Sequence, residues 1–416
     1  MPAHHRAIII GAGQAGLSVS YFLTQAGIAH VVLDKGGVGH AWRGRWDSFS
    51  LVTPNWTINL PGRPYRGDDP DGFMARDAFV DYLQDWAEAF AAPVSADVTV
   101  EHVRGGADGF ALTTSAGAMS ASAVVVATAT HQRPKIPPLA DQLPRHVTQM
   151  HAGLYRNPGQ IADGAVLVVG SGQTGCQIVE DLLRAGRDVY FCVGRAGRLP
   201  RRYRGRDCIA WQRDFGFLDR TPDQLEGPAQ RFASDPHVSG RDGGTTISLH
   251  DFHRRGVTLT GRLTGVEGGI LQFDGSLPDE MAFADAFAAR FYATVDDHVA
   301  RHNLTAPAPT ATERAGGPEP DDPPLAPPST VSLDAAGITS VVWATGFAFD
   351  FSWIDFPIAD DFGYPITKNG ATAVDGLYFC GLNYMTKRKS GILYGVAEDA
   401  EAVAADLERY LAGPHG

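Results

Sequence analysis

Apolar residues come in short unbroken runs along this chain, and two of the runs are near copies. Ala7-Ile8-Ile9-Ile10 ends at Gly11, and Val166-Leu167-Val168-Val169 ends at Gly170. A β-branched run with no polar alternation predicts a strand buried on both faces, as in a parallel sheet. Helical spacing follows each run, from about Ala15 to Gln25 and from Gln173 to Arg184, with Gly27 and Gly186 as stops. Each helix leads to another apolar run, Val31-Val32-Leu33 in the first case and Asp188 to Val193 in the second. Val124 to Ala129 and Val341 to Phe347 predict two more buried strands. Met281, Ala284, Phe287, Ala288, Phe291 and Val295 recur at helical spacing and predict a packing face. Glu398 to Leu411 predicts a C-terminal helix. Strands alternating with helices argue for an α/β fold built from two Rossmann-type dinucleotide-binding domains.

The two strand–helix junctions carry the chemistry. Gly11, Gly13 and Gly16 form a G-x-G-x-x-G fingerprint, and Gly170, Gly172 and Gly175 form a second. The first glycine allows the tight turn, the second lets a pyrophosphate approach the backbone, and the third lets helix and strand pack closely. The residues between and after them, Gln14, Ala15, Ser171, Gln173 and Thr174, start helices whose N–H groups face the phosphates. The slots that select the cofactor differ. Asp34, followed by Lys35, ends the second strand of the first unit; a carboxylate there accepts from a ribose 2′-OH and repels a 2′-phosphate. Arg195 stands in the same slot of the second unit, where a guanidinium fork suits a 2′-phosphate. Arg198, Arg201 and Arg202 extend that basic run. The first site is therefore read as FAD and the second as NADPH. Two dinucleotides in one chain imply electron transfer between them.

The order of motifs splits the first domain. Residues 1–155 and 340–416 are assigned to the FAD-binding domain, and 156–339 to an inserted NADPH-binding domain. Within the insert, 303–329 holds eight prolines and reads as a linker. The chain has 416 residues and a net charge of −12, which disfavours nucleic acid as a partner. No apolar run reaches membrane-spanning length, and the short polar lead-in leaves no room for a signal peptide; a cytoplasmic protein is expected. The four cysteines, Cys176, Cys192, Cys208 and Cys380, form no C-x-x-C pair, so neither a metal site nor a redox dithiol is expected.

The chain resembles the class B flavoprotein monooxygenases, and within that group the CzcO-type FAD-dependent oxidoreductases. The stretches that carry the resemblance are Gly39-His40-Ala41-Trp42-Arg43, Arg202 to Asp207, Ser239 to Gly244 and Arg388-Lys389-Ser390-Gly391. The group's F-x-G-x-x-x-H-x-x-x-(Y/W) fingerprint is met in part, by His151 and Tyr155, while Arg145 and Val147 replace its Phe and Gly. The resemblance implies that Ala127-Thr128 and Ala344-Thr345-Gly346 are crossover segments lining the cofactors. It also implies that Trp42 packs on the flavin, that Arg43 contacts the FAD phosphates, and that Gly381 and Ser390 lie on the last FAD-contacting stretch. It places Asn55 near the flavin C4a, and so names Asn55, His151 and Tyr155 as the catalytic set. Lys387-Arg388-Lys389 is read as a basic mouth for an anionic substrate or the cofactor phosphates. The implied activity is NADPH-dependent monooxygenation through a C4a-hydroperoxyflavin, with O2 and a small molecule as substrates and nitrogen or sulfur as the acceptor. Two rivals use the same sites: a reductase that passes electrons to a quinone, dye or protein, and a redox-sensing flavoprotein.

Overall fold

The computed structural model describes residues 3–107 and 109–413; Met1 and Pro2 of the lead-in lie outside it. Two sheets organise the chain. In the first, the opening strand Ala3–Ile10 lies between His30–Leu33 and Gly117–Val126, parallel to both. Ile8 registers with Val31 on one side and Val124 on the other, so three β-branched side chains fill one layer. The far edge of Gly117–Val126 is shared. Its first half pairs antiparallel with Gly109–Thr114, and its second half pairs parallel with the C-terminal strand Leu377–Phe379. The opening helix Gln14–Gln25 packs along the C-terminal helix Val396–Ala412. The chain's two ends thus build one domain. Ile8, Ile9, Val124, Val125 and Phe379 are fully buried there, and each such side chain contributes about 1.5–3 kcal/mol of burial free energy.

The second sheet is wholly parallel. Its order is Thr148–His151, Ile338–Trp343, Ala165–Val169, Val189–Cys192, Thr258–Thr260. This corrects both expected domain boundaries. Thr148–His151, assigned to the first domain, and Ile338–Trp343, placed at the return to it, are neighbours inside the second sheet. The inserted domain therefore runs from about 148 to 346. The chain enters and leaves it through segments that pair with each other: Arg133–Pro134 is antiparallel to Phe347–Ala348.

The helix Leu277–Arg301 is longer than its apolar stripe and buries Met281, Ala284, Ala288, Phe291 and Val295 within the inserted domain. Most of 303–329 is irregular, but it is tied down. Arg254 bonds Asp322, and Ser248 Oγ bonds the Gly316 carbonyl. Among the described residues no helix is long and apolar enough to cross a membrane.

Candidate functional site: two glycine cradles

Gly11 sits at φ +113°, and a Cβ on it would come 2.5 Å from the Ala127 carbonyl oxygen. A Cβ on Gly16 would come 1.8 Å from the Gly11 oxygen, so helix and strand meet backbone to backbone. Gly13 differs, because no protein atom lies within 4 Å of where its Cβ would be. The second cradle repeats each feature. Gly170 is at φ +104°, with its Cβ position 2.6 Å from the Ala344 oxygen; that of Gly175 is 1.9 Å from the Gly170 oxygen; Gly172 faces open space. Ala127 and Ala344, at the ends of the two crossover strands, thus cap equivalent turns. In each cradle the glycine expected to face a pyrophosphate is the one left free, which is the space a dinucleotide requires.

Around the first cradle, Asp34 accepts from the Ala12 N–H at 2.8 Å and from the Gly36 N–H at 2.9 Å. These bonds fix the acid beside the turn, and each carboxylate oxygen keeps a lone pair for a ribose hydroxyl. Trp42 donates its indole N–H to Gln14 Oε1 at 2.9 Å and packs edge-on to Phe79. That places Trp42 at the start of the cradle helix. Ala15 is brought close to Gly381, whose φ of +88° and lack of a side chain let the C-terminal strand exit against it; a Cβ on Gly381 would lie 2.4 Å from that of Ala15. Arg43 is exposed and donates to the Val38 carbonyl, and Lys35 is exposed. Thr128 Oγ1 and the Ala129 carbonyl both accept from Gln132 Nε2.

Around the second cradle, Ser171 Oγ accepts from the Gly194 N–H at 2.9 Å and lies 3.0 Å from the Gly194 carbonyl as donor. Gln173 accepts from the Val238 N–H at 3.0 Å and donates to the Val238 carbonyl. Buried His237 is bonded to the Ser171 carbonyl, and burial pushes its imidazole down to about 4. Thr174 is half-buried in the first turn of the helix. Thr345 donates from Oγ1 to the Lys135 carbonyl across the paired crossovers.

The three residues named as catalytic do not converge. His151 is 2 % exposed. Its Nδ1 accepts from the Gly153 N–H, so Nε2 carries the proton and donates to the Gly346 carbonyl at 3.0 Å. Burial holds its pKa below the ordinary histidine range. His151 therefore braces the second crossover, with Phe347 edge-on 4.8 Å away. Tyr155 is buried and donates to Asp181 Oδ2 at 2.8 Å. Asp181 also accepts from Ser48 and Arg241, which joins the two domains. Asn55 spends its amide on a nearby loop: Oδ1 accepts from the Met74 N–H and Nδ2 donates to the Asp69 carbonyl. Ser390 Oγ accepts from the Thr386 and Lys387 N–H groups and staples its turn.

The basic side chains all have acidic or carbonyl partners, and Arg195 itself pairs with Glu280. Arg198 is buried on Asp285, and Arg201 is buried on Asp207 while reaching across to the Val52 carbonyl of the first domain. Arg202 holds the Gly243 and Gly244 carbonyls. Lys387 and Lys389 share Glu398 and Asp219, and Arg388 pairs with Asp235. The triplet is thus a neutralised strap between the domains, not an open mouth.

Sequence reasoning missed Arg45 and His131, which lie 3.4 Å apart, with His131 edge-on to Phe347. It also missed Arg262 and Glu280. Gly261-Arg262 follows its strand as Gly194-Arg195 follows its own, and this repeat was the available signal.

Two glycine cradles in one chain, each opening a helix after a parallel strand, define a flavoprotein oxidoreductase of the two-dinucleotide-domain class. The pyridine nucleotide-disulphide oxidoreductase family model matches residues 8–204. A CzcO-like oxidoreductase of Geobacillus kaustophilus is 31% identical over 403 residues, covering 96% of this chain and 97% of its own. The chain belongs to the CzcO-like oxidoreductases. Indole-3-pyruvate monooxygenase YUCCA4 of Oryza sativa is 32% identical over 196 residues, 42% of this chain and 44% of its own. Among solved structures, a flavin-containing monooxygenase from Stenotrophomonas maltophilia superposes with a TM-score of 0.63 at 19% identity, covering 98% of this chain and 99% of that one, and so shares the fold.

Proposed function

We propose that this chain is an NADPH-dependent flavin monooxygenase that transfers one oxygen atom from O2 to nitrogen or sulfur of a small organic substrate. The observation that carries the reading is the paired cradle, with Asp34 bonded to one turn and Arg195 next to Gly194, which is bonded to Ser171 of the other. FAD at the first cradle would supply the redox and oxygen chemistry, with NADPH at the second as electron donor. The residues available to hold FAD are the Gly11–Gly16 turn, Asp34, Trp42 and the Gly381 exit. Those for NADPH are the Gly170–Gly175 turn and Arg195. The protein's remaining work is orientation and exclusion of water. His151 and Tyr155 serve as positioning residues, bracing the second crossover and the domain junction.

The cysteines argue against disulfide chemistry. All four are free and buried, and burial pushes the Cys192 and Cys208 thiols up to about 12, where the reactive thiolate is scarce. A reductase with an external electron acceptor is the second reading; Arg145 and Val147 in the incomplete fingerprint favour it. The separating experiment measures NADPH oxidation, O2 uptake, H2O2 and product mass with a panel of amines and sulfides. Monooxygenation gives one oxygen atom added per NADPH and O2 consumed. Quantitative H2O2 with every substrate, together with fast NADPH-driven reduction of a quinone or dye, would support the reductase.

A further inference from the structure

Two arginines from neighbouring strands of the inserted domain end on one carboxylate. Arg195 follows Gly194 at the end of Val189–Cys192, and Arg262 follows Gly261 at the end of Thr258–Thr260, its parallel neighbour. Arg195 Nε donates to Glu280 Oε2 at 2.9 Å, and Arg262 Nη2 donates to Glu280 Oε1 at 2.6 Å. Glu280 is 2% exposed at its side chain, while Arg195 is 59% and Arg262 55% exposed. The carboxylate is thus sealed beneath the two guanidiniums, and their outer edges face solvent.

A guanidinium carries five N–H donors, and among the described residues each of these arginines bonds Glu280 through one nitrogen alone. Arg195 is also steadied by Phe283, whose ring centre lies 5.1 Å from its guanidinium carbon. The Asp274 carboxylate also lies beside Arg262 and accepts its backbone N–H at 2.8 Å, so what the pair offers at the cradle's edge is two sets of outward N–H donors and no surplus of charge. Its place is fixed by the fold. Gly194 is hydrogen-bonded to Ser171 of the glycine turn, and the carboxyl ends of parallel strands are where such sheets bind ligands. An anion here meets donors already oriented, so little ordering cost is charged to binding.

We propose that Arg262 is a second, selectivity-determining contact for the 2′-phosphate of NADPH, and that Glu280 is the buried residue that positions both arginines for it. The proposal rests on the NADPH reading above. It differs from a plain surface ion pair in one sign. On charge alone, Glu280→Gln would tighten anion binding. If Glu280 positions the arginines, the same change weakens it.

The test is calorimetric titration of the purified FAD-loaded protein with 2′,5′-ADP and with 5′-AMP, in the wild type, Arg262→Ala, Arg195→Ala and Glu280→Gln. Arg262 is exposed, so its variant is expected to fold even if the Glu280 variant does not. The expected result is a roughly 10- to 100-fold loss of 2′,5′-ADP affinity in each arginine variant, the size of one charge-assisted contact, with 5′-AMP unchanged. A wild type that prefers 2′,5′-ADP, with Arg195→Ala impaired and Arg262→Ala unaffected, would overturn the role of Arg262 and leave the NADPH reading standing. A wild type that binds both nucleotides equally would overturn both. Tighter binding by Glu280→Gln would overturn the positioning role.

Discussion

The two cradles predict a separation of folding from cofactor binding within a single motif. Gly13 has φ −85° and ψ −174°, an extended conformation open to any residue, and no protein atom stands within 4 Å of its Cβ position. Gly13→Val therefore meets no strain in the protein. It also restricts the unfolded chain, so the apoprotein should be unchanged or more stable by up to about 1 kcal/mol. Its side chain would stand where a pyrophosphate must approach. Gly11→Val is the counterpart. It forces a β-branched residue to φ +113° and puts a Cβ 2.5 Å from the Ala127 oxygen. The backbone conformation alone costs about 1–2 kcal/mol, and the overlap adds to it. The assay is urea denaturation of flavin-free protein alongside flavin content after reconstitution. The expected outcome is Gly13→Val with wild-type midpoint and no retained flavin, and Gly11→Val with a lowered midpoint. Stoichiometric flavin in Gly13→Val would show that the first cradle does not hold the cofactor. Equal destabilisation by both variants would refute the geometric distinction.

Other consequences can be checked as directly. Ala129 occupies φ +58°, where the matching crossover has Gly346 at φ +79°; Ala129→Gly should stabilise by about 1 kcal/mol in chemical denaturation. His237 has a folded pKa near 4, below its unfolded value, so the unfolded chain binds the extra proton as pH falls. Its contribution is complete above about pH 6.5 and is lost toward pH 4, about 2 kcal/mol of it between pH 6.5 and 5; His237→Gln should flatten stability over that window. Asp181 joins Ser48, Tyr155 and Arg241. Asp181→Asn should therefore cost about 3 kcal/mol and speed proteolysis at the domain junction, and a loss under about 0.5 kcal/mol, a surface-like value, would count against the hub.

What was legible in the sequence was what local geometry dictates. The glycine turns, their helices and the acid–arginine contrast need only a few consecutive residues, and each stands where the spacing put it. The partners of side chains far apart in sequence were not legible. Arg195 and Arg198 look alike in the same basic run, yet one is exposed on Glu280 and the other buried on Asp285. Lys387 and Lys389 read as an open charge because Asp219 lies far away in sequence. The domain boundary failed for a related reason. Val341-Val342-Trp343 would suit either sheet, and only its pairing with Ala165–Val169 assigns it. Asn55 has the polarity of a reacting group, but its amide is taken up by backbone of its own loop.

The pairing of Arg133–Pro134 with Phe347–Ala348 has a topological consequence. The insert's way in and way out lie side by side, two residues of ladder joined at Lys135 by its N–H to the Gly346 carbonyl, 3.0 Å away. From the standpoint of the first domain, everything between Pro134 and Phe347 is a single excursion that departs from and returns to one spot on its surface. Replacing that excursion with a short turn would close a hairpin already in register and leave the opening and C-terminal strands on either side of Gly117–Val126 undisturbed. The chain is thus built like a host carrying a guest module. Exchange of the guest, with its own nucleotide preference, needs no change to the sheet that receives it.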